Sequence, residues 1–363
     1  MSAANRRTRI GVLFGGLSAE HEVSVLSATN VLKALAPERY DVVPVYITRE
    51  GQWLLSSCEN GILAQPANGA HLCFLPGGNG RLVALEADGH CRELPRIDIL
   101  FPVLHGLPGE DGAVQGLAET ARVPLAGCGI AGSANALDKD LAKRLLSAAG
   151  VPTAGSVTIP KGRPKSFLEI SEQLGLPVFI KPARQGSSVG VSKVITEEDY
   201  EAALIEGFRH DHKLLAEEFI QGREIECAVL EEPDGHLFVS RTGEIVPAEK
   251  HGFYTYDAKY IDGEGATLIV PADIPQVLED SIRETAAMAF DALGCDGMAR
   301  VDFFLCPDGR LLVNELNTIP GFTDISMYSK VMAASGVDYA EVIDRLVAHG
   351  LARSERNTFL NKR

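Results

Sequence analysis

Several common signatures of structural and catalytic sites are missing from this sequence of 363 residues. The seven cysteines are scattered and contain no C-x-x-C spacing, which argues against a zinc site or a disulfide framework and favours reduced thiols. None of the nine histidines belongs to an H-E-x-x-H pair. The P-loop pattern G-x-x-x-x-G-K-[ST] is also absent. The sequence therefore indicates neither a disulfide-stabilised protein nor a common zinc or P-loop enzyme.

Long apolar runs and an excess of positive charge are absent as well. No apolar run reaches the roughly 18 residues that suggest a membrane-spanning helix, so no membrane partner is expected. Residues 10–13 are too short for the apolar core of a signal peptide, and we expect a cytoplasmic protein. The net charge of −15 argues against general nucleic-acid binding. The length allows two or three domains, each with its own core.

The first third of the chain alternates between strand and helix patterns. Apolar runs typical of buried strands cover residues 9–14, 42–47 and 97–104. Ser18 is predicted as the N-cap of a helix that extends to about Leu35. This alternation predicts a parallel sheet, so residues 1–128 are expected to form an N-terminal parallel α/β domain. Residues 51–96 contain only short strand-like pieces, about which the sequence predicts little.

The remaining chain predicts α+β structure in two further domains, residues 129–217 and 218–363. Ser166 begins a capping-box pattern that opens one helix, and Thr196 caps another. Together with these, the predicted helices and strands cover residues 138–149, 178–181, 191–195, 213–220 and 276–293.

Two strand-like segments near the C-terminus predict a β-hairpin. Residues 300–305 are rich in aromatic and apolar side chains, and residues 310–317 form a similar segment. Between them, Asp308-Gly309 is typical of a two-residue hairpin turn. The sequence therefore predicts antiparallel pairing of the two segments.

That turn would place four polar side chains on one face of the hairpin. It pairs Asp302 with Glu315, and it pairs Arg300 with Asn317. Two facing carboxylates repel each other, and a bound Mg²⁺ ion would offset the repulsion. Carboxylate and amide oxygens are ligands that Mg²⁺ accepts. The alternative is a solvated polar face of the sheet.

Residues 185–190, with the sequence QGSSVG, join two predicted strands. Glycines allow the backbone to approach a phosphate, and backbone N–H groups and serine hydroxyls can donate hydrogen bonds to it. Lys181 lies at the end of the preceding strand, near the expected phosphate position. An ordinary hairpin turn is the alternative interpretation of this loop.

Two further segments leave alternatives open. Residues 15–20 follow the first strand but lack the G-x-G-x-x-G dinucleotide pattern. Glu20 is either a favourable charge in the first helical turn or the partner of a cationic ligand group. Residues 247–262 form a long aromatic-rich stretch that predicts a lid, in which Lys259 either reaches a phosphate or is a solvated charge.

Together these motifs resemble the D-alanine–D-alanine ligases of the ATP-grasp superfamily. The resemblance runs over nearly the whole chain, and its specificity lies in the order and spacing of the motifs. The motifs are GGLSAEHEVS (15–24), HGLPGEDG (105–112), DK (138–139), KPARQGSSVG (181–190), DAKY (257–260), RVD (300–302) and NELNTIPG (314–321). The resemblance implies a three-domain architecture with the ATP-grasp fold.

The resemblance also implies a reaction that serves peptidoglycan precursor synthesis. The carboxylate of one D-alanine attacks the γ-phosphate of ATP, which gives an acylphosphate and ADP. The amine of a second D-alanine then attacks the acylphosphate, and phosphate leaves with formation of D-alanyl-D-alanine. The implied cofactors are ATP and two Mg²⁺ ions, with Mn²⁺ as a substitute, and the implied assembly is a homodimer.

The roles of the hairpin residues follow from the same resemblance. Asp302, Glu315 and Asn317 would hold the two metal ions, with Glu315 bridging them. Arg300 and the backbone N–H of Gly321 would stabilise the oxyanion of the tetrahedral intermediate.

The resemblance assigns the remaining site residues to ATP and to the two D-alanine molecules. Lys139, Lys181 and Ser188 would lie at the ATP phosphates, with Lys259 at the γ-phosphate once the lid closes. Glu224 would bind the ribose hydroxyls, and Glu217 would lie at the adenine edge. The residues expected at the D-alanine substrates are Glu20 for the first ammonium, Ser187 to orient Glu20 and Tyr260, His105 near the first substrate, and Ser326 for the second carboxylate.

Two departures and two rival functions qualify this assignment. Glu217 is followed by Glu218, where many relatives have lysine, so adenine recognition is expected to rely more on backbone groups. Pro108 changes the loop after His105. A D-alanine–D-lactate ligase would resemble this chain but have histidine in place of Tyr260. A catalytically silent nucleotide-binding regulator is expected to lack a metal ligand or the arginine, and this chain has them all.

Overall fold

The computed structural model of the protein describes residues 6–247, 266–323 and 325–360. Its helices are α1 (His21–Ala34), α2 (Ala113–Ala121), α3 (Ile130–Leu137), α4 (Lys139–Ala148), α5 (Phe167–Leu174), α6 (Glu197–His210), α7 (Gln276–Ala292), α8 (Met327–Ala334) and α9 (Tyr339–Leu360). No helix within these ranges is both long and apolar enough to cross a membrane.

The strands of the same residues form three large sheets and one small hairpin. They are β1 (Thr8–Gly15), β2 (Tyr40–Ile47), β3 (Trp53–Leu55), β4 (Cys58–Glu59), β5 (Ile62–Leu63), β6 (His71–Phe74), β7 (Leu82–Leu85), β8 (Cys91–Leu94), β9 (Ile99–Val103), β10 (Ser156–Pro160), β11 (Val178–Pro182), β12 (Ser192–Val194), β13 (Lys213–Glu218), β14 (Arg223–Glu231), β15 (Leu237–Pro247), β16 (Ala266–Ile269), β17 (Met298–Leu305) and β18 (Leu311–Asn317).

The first sheet has the strand order β8-β7-β6-β3-β2-β1-β9 and is mixed rather than parallel. The predicted parallel pairing is confirmed for β1 with its neighbours β2 and β9. It is wrong for β3, β6, β7 and β8, which extend the sheet by antiparallel pairing. The connections between β6, β7 and β8 are short hairpins, and a parallel connection needs a crossover of about a dozen residues or more.

The turn between β1 and α1 differs from the sequence prediction and places Glu20. Helix α1 begins at His21, and Glu20 rather than Ser18 occupies the N-cap position. The Ser18 hydroxyl accepts a hydrogen bond from the Glu20 N–H at 3.2 Å. Gly15 and Gly16 both have positive φ, of 93° and 100°, and a Cβ on Gly15 would overlap the Ile47 carbonyl oxygen. This glycine turn holds Glu20 at the end of the parallel strands.

The second sheet has the strand order β10-β13-β11-β12. The predicted capping box at Ser166 and the predicted cap at Thr196 are both confirmed, and Thr196 also forms a full capping box with Asp199. Asp138 caps α4 by accepting a hydrogen bond from the Leu141 N–H. The caps at Ser166 and Thr196 fix the two helices that pack against this sheet, whose core is a separate apolar cluster, whereas α4 packs into the core of the third sheet.

The third sheet has the strand order β16-β15-β14-β17-β18 and is antiparallel throughout. Alternate residues of β14 pack into two different apolar cores. One core also contains residues of α7, and the other, the α8 core, contains residues of α8. The α8 core also contains residues of β1, β9 and α9, so it joins the first sheet to the third. The predicted division at residues 128 and 217 remains a prediction. The second and third sheets are each built from consecutive strands, whereas the first sheet omits β4 and β5.

The hairpin β17–β18 has the predicted pairing of Asp302 with Glu315 but not the predicted turn. Its turn has three residues rather than two, because the Cys306 N–H donates to the Arg310 carbonyl at 2.9 Å. A β-bulge then follows between Asp302 and Phe303 in the pairing with β18. The bulge adds Asn314 as the extra residue and compensates for the longer turn.

Candidate active site

The hairpin β17–β18 brings the predicted metal-binding side chains together. Asp302 lies opposite Glu315, and Arg300 lies opposite Asn317, which confirms the predicted register. The Asp302 carboxylate accepts two hydrogen bonds of 2.7 Å from Arg300 and one of 3.0 Å from the Asn317 amide. Among the described residues, no group of three or more His, Cys, Asp or Glu side chains could hold a metal ion. The predicted metal ligands Asp302, Glu315 and Asn317 are two carboxylates and one amide, and the amide of Asn317 is not among those four residue types.

Arg300 lies between carboxylates from two strands. Besides Asp302, its guanidinium contacts Glu226 on β14, with 3.0 Å between Nε and Oε2. Burial works to lower the pKa of Arg300, but Asp302 and Glu226 outweigh it and hold that pKa well above its usual range. The sequence motifs do not single out Glu226, although its alternation with Glu224 along β14 is a signal for a shared face. Arg300 is therefore a fixed cation beside the predicted metal-binding face.

Lys139 connects this face to the Gly/Ser loop, which is residues 185–190. Its Nζ lies 3.0 Å from Glu315 Oε2 and donates a hydrogen bond of 2.9 Å to the Gln185 carbonyl. Burial works to lower the pKa of Lys139, but the Glu315 carboxylate outweighs it and raises that pKa. The lysine thus remains charged where an anionic group could approach.

Two lysines, Lys181 and Lys143, lie on either side of the Glu217 carboxylate. Lys181 Nζ lies 2.6 Å from one carboxylate oxygen of Glu217, and Lys143 Nζ lies 2.7 Å from the other. Burial works to raise the pKa of Glu217, but the two lysines outweigh it and lower that pKa. Lys143 is missed by the motifs, although it follows Lys139 by four residues on α4, the spacing of side chains on one helix face. The role of Glu217 at the adenine edge remains a prediction.

The loop at residues 184–190 has an unusual backbone and is fixed at its start. Ser187 and Ser188 adopt left-handed conformations, with φ of 51° and 60°, which are uncommon for residues other than glycine. The Arg184 guanidinium and backbone N–H both donate to the buried carboxylate of Asp211. Two consecutive residues with strained backbone, in a loop that side-chain hydrogen bonds anchor, are typical of ligand-binding segments.

Glu20 lies between two glycine-rich loops. The Ser187 hydroxyl donates a hydrogen bond to Glu20 Oε1, so the predicted contact between these residues is present. A Cβ on Gly186 would lie 3.5 Å from Glu20 Oε2, and one on Gly106 would lie 3.9 Å from it. These glycines leave room for a ligand group beside the carboxylate.

His105 and Glu110 contact the loop that follows β18. His105 Nδ1 donates to the Ile319 carbonyl at 3.0 Å, and Glu110 Oε1 accepts from the Ile319 N–H at 3.2 Å. Burial lowers the pKa of His105, against the opposing effect of Glu20. Burial also raises the pKa of Glu110 to about 8. His105 thus lies close enough to Glu20 for their charges to interact, and its role near the first substrate remains a prediction. Glu110 is a neighbouring residue to which the motifs assign no role.

Gly321 and Ser326 lie together at the end of that loop. A Cβ on Gly321 would lie 3.1 Å from the Ser326 hydroxyl oxygen, so a larger residue would press against it. The same hydroxyl accepts a hydrogen bond of 3.1 Å from the Thr323 N–H. The two predicted residues are therefore neighbours across one turn of the loop.

A cavity of about 530 Å³ opens between the second and third sheets. Seven predicted site residues line it, namely Lys139, Lys181, Ser187, Ser188, Glu217, Glu224 and Glu315. Glu218, the departure noted above, also lines it and accepts a hydrogen bond of 2.6 Å from the Gly155 N–H. A cavity with this volume and these cations suits a nucleotide. Lys259, Tyr260 and the predicted lid at 247–262, apart from Pro247, lie outside the described residues.

Two family models match the chain, and together they span most of it. Residues 9–128 match the model described as D-ala D-ala ligase N-terminus. Residues 145–348 match the model described as D-ala D-ala ligase C-terminus.

Individual proteins are similar over nearly their whole length. The D-alanine--D-alanine ligase A of Brucella suis is 65% identical over 350 residues, which cover 96% of this chain and 99% of the relative. The enzyme of the same name from Mesorhizobium japonicum is 58% identical over 352 residues, or 96% and 98% of the two chains.

Solved structures agree in fold. The D-alanine-D-alanine ligase from Coxiella burnetii superposes with a TM-score of 0.86 at 34% identity, over 98% of this chain and 97% of that one. The VanG D-Ala:D-Ser ligase from Enterococcus faecalis has a TM-score of 0.82 at 35% identity, over 95% and 100%.

Proposed function

The chain belongs to the D-alanine–D-alanine ligase family, and we propose that it joins two D-alanine molecules into D-alanyl-D-alanine for cell-wall synthesis, with ATP as the phosphoryl donor. The observation that carries the proposal is the arrangement of the hairpin face. Arg300, Asp302, Glu315 and Asn317 lie together, and Lys139 links this face to a nucleotide-sized cavity. Phosphoryl transfer needs this kind of positioning and charge neutralisation more than covalent chemistry.

Asp302, Glu315 and Asn317 would hold Mg²⁺, or Mn²⁺ in its place. Their hard oxygen donors fit these ions, and the register of the hairpin puts the two carboxylates opposite each other. When bound, the metal would neutralise charge on the transferred phosphoryl group. Arg300 is a permanent cation beside them, and with the Gly321 backbone N–H it would stabilise the oxyanion formed when the amine attacks.

The lysines and the Gly/Ser loop would bind ATP. Lys139 and Lys181 line the cavity and hold charges that attract phosphate, and Ser188 belongs to the loop between them. Glu224 would bind the ribose and Glu217 would lie near adenine. Lys259 would reach the γ-phosphate from the lid.

The substrate side would begin at Glu20, whose carboxylate suits the ammonium of the first D-alanine. The Ser187 hydroxyl holds Glu20 in place, and His105 lies close by. Tyr260 would complete this group from the lid. Ser326 would bind the carboxylate of the second D-alanine, next to Gly321.

We also propose three domains, at residues 1–128, 129–217 and 218–363, in a cytoplasmic homodimer. The cysteines are free thiols, as a reducing compartment favours. Light scattering of the purified protein would test the dimer, which rests on the family resemblance alone. The negative net charge supports the absence of a nucleic-acid partner.

Phosphate release tests the proposed reaction directly. We expect ATP-dependent phosphate release and a dipeptide product with D-alanine, and no dipeptide with L-alanine alone. Offering D-lactate or D-serine with D-alanine tests the second substrate, since a D-Ala:D-Ser ligase has a similar structure. A mixed product that exceeds D-alanyl-D-alanine would overturn the assignment. A protein that binds ATP and forms no product would be the silent regulator.

A further inference from the structure

The loop at residues 318–323 follows the metal-binding strand and carries Gly321. Residues of the N-terminal part of the chain hold this loop at two positions. The Ser27 hydroxyl accepts a hydrogen bond from the Phe322 N–H at 3.4 Å. At the other position, both peptide groups of Ile319 are engaged by residues of the loop after β9.

Two hydrogen bonds fix the backbone of Ile319, one through its N–H and one through its carbonyl oxygen. Glu110 Oε1 accepts from the Ile319 N–H at 3.2 Å, and His105 Nδ1 donates to the Ile319 carbonyl at 3.0 Å. Because a carbonyl oxygen can only accept, the His105 proton is on Nδ1. The second oxygen of Glu110 accepts from the Gly106 N–H at 2.7 Å. One carboxylate therefore joins two loops that are 209 positions apart in sequence.

We propose that Glu110 is a positioning residue, whose carboxylate sets the place of the Gly321 backbone relative to Glu20 by joining the Gly106 and Ile319 N–H groups. The inference rests on the proposed function, in which Gly321 contributes to the oxyanion site. Glu110 would act through the two loops, one of which passes beside Glu20 and the other of which contains Gly321.

The ionised form of Glu110 is suited to this task because both of its oxygens accept hydrogen bonds, and the variants below are compared above the pKa of about 8, where this form prevails. Glutamine has nearly the same size but has one oxygen and one NH₂ group, so one of the two N–H partners would face a donor. The loops would then separate at that point. A shift of about 1 Å in a reacting group can cost about 10²-fold in rate.

The test compares Glu110→Gln with Glu119→Gln, the same change at an exposed position on α2. We expect kcat to fall by about 10²-fold in Glu110→Gln. KM for ATP should change little, because the ATP cavity lies elsewhere, whereas the melting temperature should fall by a few degrees, because one buried N–H faces a donor. Glu119→Gln should match the wild type in all three quantities.

Two results would overturn the proposal. One is a Glu110→Gln variant whose kcat per folded molecule equals that of the wild type, with only its melting temperature lowered. The other is a fall in kcat matched by an equal rise in KM for ATP, which would place Glu110 in nucleotide binding.

Hydrogen exchange on the wild-type enzyme keeps the test independent of how the variant folds. The Ile319 amide proton should exchange slowly with solvent. An exchange rate as high as that of an unstructured loop would refute the contact. If the wild type made no dipeptide, the proposed function would fail, and this exchange measurement would still report on the contact alone.

Discussion

At the scale of single residues, the carboxylates of the hairpin face have cationic neighbours. Asp302 accepts from Arg300, and Glu315 lies 3.0 Å from Lys139. The sequence pattern suggested that two facing carboxylates require a metal to offset their repulsion. In the structure, these two cations already offset part of it. The proposed metal-binding face is therefore compatible with a folded protein before any ligand binds.

Glu315→Gln separates the metal-binding role from stability. We expect activity to fall by more than the roughly 10–100-fold typical of residues that only orient a metal ligand, because a neutral amide binds Mg²⁺ poorly. The free energy of unfolding should fall by about 1–3 kcal/mol, since Lys139 loses its charged partner. Urea denaturation and steady-state rates measure both, with exposed Glu284→Gln as control. Unchanged ligation in Glu315→Gln would refute the metal assignment.

Arg300→Lys tests the oxyanion role with the charge preserved. Lysine cannot form the two parallel hydrogen bonds to Asp302, and its charge is concentrated on one ammonium group instead of being spread over a planar guanidinium. We expect kcat to fall by about 10²-fold, as for loss of an oxyanion donor, with ATP affinity little changed. Arg310→Lys, in the exposed turn of the same hairpin, is the matched control. Calorimetry that showed ATP affinity falling as far as kcat would identify Arg300 as a nucleotide ligand instead.

At the scale of elements, the hairpin shows what spacing can and cannot predict. The pairing of Asp302 with Glu315 is correct, but the predicted two-residue turn is wrong. Asp-Gly also fits a three-residue loop with glycine in the left-handed region, and Gly309 has a φ of 85°. The Asn314 bulge carries no clear sequence signal. The two deviations cancel, so the site was predictable although its turn was not.

The Gly/Ser loop depends on Asp211 at its base. Burial works to raise the pKa of Asp211, but Arg184 outweighs it and lowers that pKa. Because the folded pKa is lowered, this stabilisation is complete above the ordinary Asp pKa of about 3.9 and is lost as pH falls through the folded value.

We therefore expect Asp211→Asn to lower the free energy of unfolding by about 1–3 kcal/mol at neutral pH. The loss is limited because Arg184 is 43% exposed. The difference from wild type should shrink as pH falls below about 4. Urea denaturation across this range measures it, with exposed Asp234→Asn as control. A difference that did not change with pH would contradict the ion-pair explanation.

The lid is a prediction of the sequence alone. Residues 247–262 are expected to gain hydrogen-exchange protection when ADP, Mg²⁺ and a substrate analogue bind together, because lids close over bound ligand. Residues 276–292 of α7 serve as an internal reference. Equal protection of 247–262 with and without ligand would mean that this segment is a fixed loop.

At the scale of the whole molecule, local patterns predicted the elements better than their assembly. The capping box at Ser166 and the helix cap at Thr196 were predictable because all their partners lie within four positions. Residues 51–96 were not, because their strands have only two to four residues. The contact between Glu110 and Ile319 has no local signal, since it forms only when the first and third sheets pack. The family resemblance supplied roles that the spacing could not.

The central claim is that one D-alanine carboxylate is phosphorylated by ATP before the second D-alanine attacks. The most direct measurement uses D-alanine with ¹⁸O in its carboxylate and follows the label by mass spectrometry. Because the bridging oxygen of an acylphosphate comes from the carboxylate, each released phosphate should carry one ¹⁸O. ADP and D-alanyl-D-alanine should form in equal amounts. Unlabelled phosphate, or AMP carrying the label, would contradict the account.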